Sequence, residues 1–245
     1  MAQTKATPPD PDAPPGKPTR RRVTSNPAAK SEKAAAKSPL MRRGKGKERI
    51  LAAALDLFAN KGFDAVSTAD VAQQAGSSQS VVLYHFGTKD ELWRAAMRDL
   101  FRTVAIKPTF DGAMYKDLDA VSRLRVLLRS FVLTSARHPE LGRVINREGS
   151  SSSERMMWLF QELARPNYAA FEALFVEGAR SGLLKSYPAP MLTLLAHGAA
   201  ATLFNLGSIA QMLLDGDPFA QDVVELQADL VVDIILNGLT TKGPS

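Results

Sequence analysis

The chain lacks cysteine altogether and carries only 3 histidines and 2 tryptophans in 245 residues. Without cysteine there is no disulfide framework, no thiolate metal site and no cysteine nucleophile. The histidines, His85, His138 and His197, are more than 50 residues apart, so no metal site and no cofactor is expected from them. No apolar run reaches the roughly 18–20 residues that span a bilayer. Pro and Lys interrupt the N-terminus throughout, so it lacks the apolar core of a secretory signal. These absences lead to the expectation of a soluble protein of the cytoplasm. Also missing are a G-x-S-x-G elbow, a phosphate-cradling glycine loop and an H-E-x-x-H pair, and carboxylates such as Asp56 and Glu162 stand singly. The expectation is therefore that the chain is not an enzyme.

Charge is distributed unevenly. Residues 1–45 hold 11 Lys/Arg against 3 Asp/Glu, leaving 20 against 22 for the remainder, so the net +6 belongs to a tail. Eight of the 15 prolines lie in that tail, and the first aromatic is Phe58. A segment with so little to bury does not offset roughly 1–2 kcal/mol per residue of backbone ordering entropy, and residues 1–45 read as disordered. Their clusters, Arg20-Arg21-Arg22 and Arg42-Arg43-Gly44-Lys45-Gly46-Lys47, suit a polyanion as well as they suit solvent.

From residue 47 the signal is helical. Ile50, Leu51, Ala54, Leu55 and Phe58 form one apolar stripe on a helix ending near Gly62. Ser67-Thr68-Ala69-Asp70 is a capping box for a short helix carrying Val71, Ala72 and Ala75 inward, and Gly76 stops it. Ser78 caps a third helix running to about Phe86. Thr88-Lys89-Asp90-Glu91 opens a long fourth helix with Leu92, Ala96, Leu100 and Val104 on one face.

The second and third helices have the offsets of a helix-turn-helix. Ala72 is the small residue at the crossing, Gly76 the turn and Val82 the inward anchor. With Val82 inward, the helical period turns Gln79, Ser80, Leu83 and Tyr84 to other faces, several of them outward. An amide, a hydroxyl and a phenol suit a DNA groove. Lys89 stands in the first turn of the fourth helix. A cation there opposes the helix dipole unless that N-terminus meets a phosphate.

Taken as a whole, residues 47–93 resemble the DNA-binding domain of the TetR family of transcriptional regulators. The likeness runs through Ile50-Leu51-Ala52-Ala53-Ala54-Leu55-Asp56-Leu57-Phe58, Lys61-Gly62-Phe63, Ser67-Thr68-Ala69-Asp70-Val71-Ala72 and Ala75-Gly76. It ends in the string Tyr84-His85-Phe86-Gly87-Thr88-Lys89-Asp90-Glu91-Leu92. The resemblance implies that Thr68 contacts backbone phosphate and that Ser78, Gln79, Ser80, Leu83 and Tyr84 face the major groove. It implies that His85 and Lys89 hold phosphates beside it, with bracing of the turn as the competing role for His85. Two positions depart from the family pattern. Ser77 stands where Val or Ile is usual, and Leu83 stands where Tyr or Asn is frequent, so an apolar contact to a thymine methyl takes the place of a polar one.

Residues 106–117 read as a linker, and the chain beyond is helical. Val121, Leu124, Leu128, Phe131, Val132 and Ser135 make a stripe ending at His138-Pro139. A short helix spans 140–148, and the serines of 150–153 cap the next, which Pro166 breaks. The pattern resumes with Tyr168, Phe171, Leu174 and Phe175. Two final helices, about 191–214 and 218–238, start near Pro190 and Pro218. Both are apolar on more than one face, which a domain of this size cannot cover alone. A homodimer joined through an antiparallel four-helix bundle follows, with Leu195, Ala199, Leu203, Leu206, Val223, Leu230 and Ile234 at the interface. A deep core in a monomer is the competing reading.

The expected architecture is all-α. A three-helix DNA-binding head, residues 46–105 with its connecting helix, joins a C-terminal effector-binding and dimerisation domain, residues 106–240. Family resemblance implies a repressor that is released from a palindromic operator by a small molecule. The candidate pocket residues are Phe131, Met157, Trp158, Phe160, Phe171 and Phe175, with His138 and Arg147 as polar anchors. Ordinary core packing is the competing role for each aromatic. Their chemistry favours an apolar or planar effector. A helical adaptor or an enzyme without a DNA role is the contrasting function, and it leaves Lys89, Gln79 and Tyr84 unexplained.

Overall fold

A computed structural model describes residues 39–104, 115 and 117–241, with side chains from residue 46 onward. The expectation of disorder for residues 1–38 and most of the linker at 106–117 lie outside the described residues. The described residues from Pro39 onward form one compact unit. Among the described residues the secondary structure is helical, apart from one isolated bridge between Leu184 and Thr240.

The head is built from α1 (Pro39–Lys61), α2 (Thr68–Gln74), α3 (Gln79–Phe86) and α4 (Lys89–Thr103). α1 begins earlier than composition implies, and its backbone is helical across residues 39–45. A helix already nucleated by the apolar stripe extends at one hydrogen bond per residue, and Pro39 suits a helix start. Ile50, Leu51, Ala54, Leu57 and Phe58 are buried from α1, and Leu92, Ala96, Leu100 and Val104 from α4 and its C-cap. The turn after α2 carries Gly76 at φ +60°, a left-handed conformation that glycine adopts without a Cβ penalty.

The body follows as α5 (Ala120–Arg137), α6 (Pro139–Gly149), α7 (Glu154–Leu159), a π-helical turn (Phe160–Ala164), α8 (Arg165–Arg180), α9 (Ala189–Asn205), α10 (Gly207–Leu214) and α11 (Gln221–Leu239). Its core lies between α5, α8, α9 and α11, and includes Leu124, Leu128, Phe175, Ala196, Phe204 and Leu236. The head core continues into the body through Val144, Leu159 and Ala164, and Trp93 meets Trp158 at 5.7 Å between ring centroids.

Three expected boundaries differ. Pro166 does not separate two helices. The π turn just before it widens the coil, so the missing N–H and the ring are accommodated without a break. The helix expected at 191–214 is two helices, bent by 77° at Leu206-Gly207. Gly207 weakens the helix locally, Phe219 packs 5.7 Å from Phe204, and Gly142 leaves room for Asn205 where a Cβ would overlap it. Pro218 is a buried loop residue, and the last helix starts only at Gln221. No single described helix is long and apolar enough to cross a membrane.

Candidate functional site

The α2–α3 pair is held by local chemistry. Ser67 Oγ accepts from Asp70 N at 3.1 Å, and Ser67 N donates to Asp70 Oδ2 at 2.8 Å, closing the capping box. Hydrogen bonds from the Ser67 hydroxyl and then from its backbone hold the Asp70 carboxyl below the usual carboxylate range. Ser78 Oγ accepts from Val81 N and caps α3. Gln79 Nε2 donates to Thr68 Oγ1 across 3.0 Å, joining the first residue of α3 to the first residue of α2. Val71, Ala72, Ala75, Val82 and Phe86 are buried beneath this pair.

The opposite face of α3 is open. Ser78, Gln79 and Ser80 are exposed, as are Leu83 at 40% and Tyr84 at 71%. Val81 is also 41% exposed, an outward apolar residue that sequence reading passes over because valine in a helix usually marks core. Thr68 and His85 are half-buried. The His85 ring lies 5.3 Å from Tyr84 and 6.2 Å from Phe86, and borders an open groove that also holds Lys47 and Arg98. Lys89 is half-buried, with Nζ 4.3 Å from the centre of the Phe63 ring and 3.5 Å from the Asp64 carbonyl oxygen. Its ammonium therefore already has partners in the α1–α2 connection.

A cavity lies where the end of α4 meets α5, α6, α8 and α9. It holds about 510 Å³ of space free of protein atoms, its mouth included. Phe101 and Val104 line it from α4 and its C-cap, and Leu141 and Ile145 from α6. Phe131, Ala164 and Phe171 complete the apolar wall. The polar lining consists of Asn167, Tyr168, Thr193 and His197. Tyr168 Oη and His197 Nδ1 are 3.4 Å apart, and Thr193 Oγ1 donates to the Ala189 carbonyl at 2.9 Å. Burial lowers the His197 pKa and raises that of Tyr168, so both rings are neutral near pH 7.

Residues 50–96 match the family model described as bacterial regulatory proteins, tetR family. This stretch of the head, from α1 into the first half of α4, is of the tetR type. A relative, the uncharacterized HTH-type transcriptional regulator YvdT of Bacillus subtilis (strain 168), is 25% identical over 130 residues, 52% of this chain and 63% of that protein. The chain thus spans less than two thirds of that relative. Among solved structures, HlyIIR, a hemolysin II transcriptional regulator, is similar with a TM-score of 0.63 at 18% identity, over 82% of this chain and 99% of that one. AibR, in complex with isovaleryl coenzyme A and operator DNA, is similar with a TM-score of 0.62 at 16% identity, over 77% and 97%. What these structures share with the present chain is the TetR-family fold, with an N-terminal helix-turn-helix and a helical body.

Of the eight pocket candidates read from sequence, Phe131 and Phe171 line the cavity. The other six lie elsewhere. Trp158 packs on Trp93 under the guanidinium groups of Arg94 and Arg98. Met157 is 61% exposed, and Phe175 belongs to the body core. Phe160 stands beside Tyr168 at 5.7 Å without reaching the lining. His138 Nδ1 faces Glu140 at 3.1 Å, and Arg147 bonds the Asn60 carbonyl. Sequence reading gave no ligand role to Tyr168, Thr193 or His197. Periodicity marks Tyr168 as core, and only the packing of α8 against α9 brings the three together.

Proposed function

We propose that the chain is a sequence-specific DNA-binding regulator of transcription acting as a homodimer, and that it represses from a palindromic operator until a small molecule releases it. The observation that carries this reading is the outward face of α3. Gln79, Ser80, Leu83 and Tyr84 stand in solvent on a helix whose other side is anchored by fully buried Val82. Amide, hydroxyl and phenol groups read base edges and phosphates, and Leu83 and Val81 suit thymine methyls. Ser78 faces the groove beside them, and Thr68, His85 and Lys89 supply the flanking phosphate contacts in this reading.

A second reading head is needed for specificity, because so short a helix covers few base pairs. Leu195 at 60%, Leu206 at 49%, Leu230 at 48% and Ile234 at 63% leave apolar surface exposed along α9 and α11, with half-buried Ala199, Leu203 and Val223 beside them. A second copy covering that face by two-fold symmetry sets two α3 helices at a fixed separation, matching half-sites about 34–36 Å apart or a multiple of it. The cavity touches Phe101 and Val104 at the far end of α4, whose near end packs on α3. An occupant that shifts this helix changes the separation of the heads, with typical coupling of about 1–3 kcal/mol.

The test is enrichment of fragments of the source genome on the purified chain, followed by titration of the enriched duplex and of random duplex at several salt concentrations. The expected result is an inverted repeat bound far more tightly than random duplex. Equal affinity for both sequences overturns the reading.

A further inference from the structure

We infer that the cavity takes a small uncharged aromatic or alicyclic molecule bearing a hydrogen-bond acceptor, a ketone or ester type of carbonyl, which is received by the Nε2–H of His197. The inference rests on the effector-site reading above and names the chemistry of that site.

Two observations carry it. First, no Lys, Arg, Asp or Glu is among the described lining residues. A carboxylate or ammonium ligand would lose its hydration with no opposite charge to replace it, and an isolated ion bears a large desolvation penalty. Second, one of the polar lining residues, His197, carries an unsatisfied atom. His197 Nε2 is buried and has no hydrogen-bond partner among the described residues. A buried polar atom without a partner is uncommon and is a natural place for a ligand contact.

The protonation of the ring decides what that ligand presents. Tyr168 Oη stands 3.4 Å from His197 Nδ1, and the two rings stack at 5.9 Å and 19°. A phenol is a better donor than a neutral imidazole, and an imidazole nitrogen is a better acceptor than a phenol oxygen. The Tyr168 O–H therefore donates to Nδ1, which leaves the proton of the neutral ring on Nε2. The orphan is a donor, so the matching ligand atom is an acceptor. Phe131, which packs 5.5 Å from His197 and 5.7 Å from Phe171, gives the rest of the molecule an aromatic wall.

The experiment titrates the full chain in a calorimeter, without DNA, with four ligands of similar size: acetophenone, ethylbenzene, benzoate and phenyltrimethylammonium. Acetophenone is expected to bind about tenfold more tightly than each of the others, the difference one good hydrogen bond makes. His197→Phe is expected to leave ethylbenzene binding in place and to shrink the advantage of acetophenone over it to less than about threefold. Tyr168→Phe serves as a second variant. Freed from the phenol, Nε2 no longer holds the proton exclusively, and the acetophenone advantage falls to an intermediate value. The inference is overturned if benzoate or phenyltrimethylammonium binds most tightly, if ethylbenzene equals acetophenone, if His197→Phe keeps the full preference, or if none of the four binds. Repeating the titration with the enriched operator separates the two readings. Acetophenone that binds through His197 yet leaves DNA affinity unchanged upholds the ligand class and removes the release mechanism.

Discussion

Arg147 Nη2 donates to the backbone carbonyl of Asn60 across 3.1 Å, which fastens α6 to the last turn of α1. The contact belongs to a cluster. Arg143 bonds the Asn60 side chain, and Arg155 lies 3.9 Å from the Phe63 ring and 4.0 Å from Asp64. Three arginines of the body thus hold residues 60–64, the segment that leads into the helix-turn-helix. Since α6 also presents Leu141 and Ile145 to the cavity, one helix touches both the ligand space and the head.

Gly62 permits this clasp. Its φ is +85°, and a Cβ there would lie 2.7 Å from Arg147 Nη1. Gly62→Ala is expected to cost about 1–2 kcal/mol of stability, from the positive φ and from the displaced guanidinium. Arg147→Ala is expected to cost about 1 kcal/mol. In the double variant the steric part disappears, so urea unfolding should show a total below the sum by about 0.5 kcal/mol or more. Strict additivity would show that the guanidinium moves aside freely.

Tyr84→Ala is expected to weaken operator binding by about 1–3 kcal/mol while changing stability by no more than about 0.5 kcal/mol. The basis is its 71% exposure on α3. Fluorescence anisotropy and thermal unfolding on the same samples check both halves. A large stability loss with intact DNA binding would assign the ring to packing.

Lys89→Ala separates two uses of one ammonium. The contact with Phe63 predicts a stability loss of about 0.5–1 kcal/mol. A phosphate contact predicts weaker binding to all sequences alike and a salt slope reduced by about one unit. Loss of stability with an unchanged slope would leave Lys89 as a brace for the α1–α2 connection and no more.

Ile234→Glu, at a position 63% exposed in the single chain, is expected to yield monomers in sedimentation while the unfolding transition of the protomer persists. Leu195→Glu on α9 should act the same way. Dimers surviving both changes would place the interface on another surface.

Stability should also fall on mild acidification through His197. Burial holds its pKa below the ordinary 6.5. Below about 6.5 the unfolded chain binds a proton that the folded chain resists, so the unfolded state is favoured as pH drops toward the folded value, and the full stability is present above that window. Glu148 works in the opposite sense, since burial raises its pKa. Comparing wild type with His197→Phe cancels that contribution. The expected result is a shallower loss as pH falls below about 6.5 in the variant, and equal slopes would refute the assignment.

The helices of the head could be read from sequence because their signals are short-range. The bond from Ser67 to Asp70, the caps Ser78 and Thr88, and the left-handed Gly76 all act within about one turn of their own position. The apolar stripe of α4 likewise needs only the helical period, and Leu92, Ala96, Leu100 and Val104 are all buried. What periodicity could not supply was any feature settled by residues distant in sequence. The break after Asn205 depends on Phe219 and Gly142, and the π turn before Pro166 depends on how that coil packs.

The cavity shows the same division most clearly. Phe131, Phe171, Phe175 and Trp158 look alike in a helical pattern, since each falls on an apolar face. Their surroundings separate them: Trp158 meets Trp93, Phe175 closes the body core, and Phe131 and Phe171 border empty space. His197 carries no signal at all in a run of small and apolar residues until α8 brings Tyr168 against it. Sequence determined where helices begin and which faces turn inward, because caps and periodicity are encoded in neighbouring residues. Only tertiary structure decided which inward faces meet without filling the space between them, because a void is a property of several helices packed together.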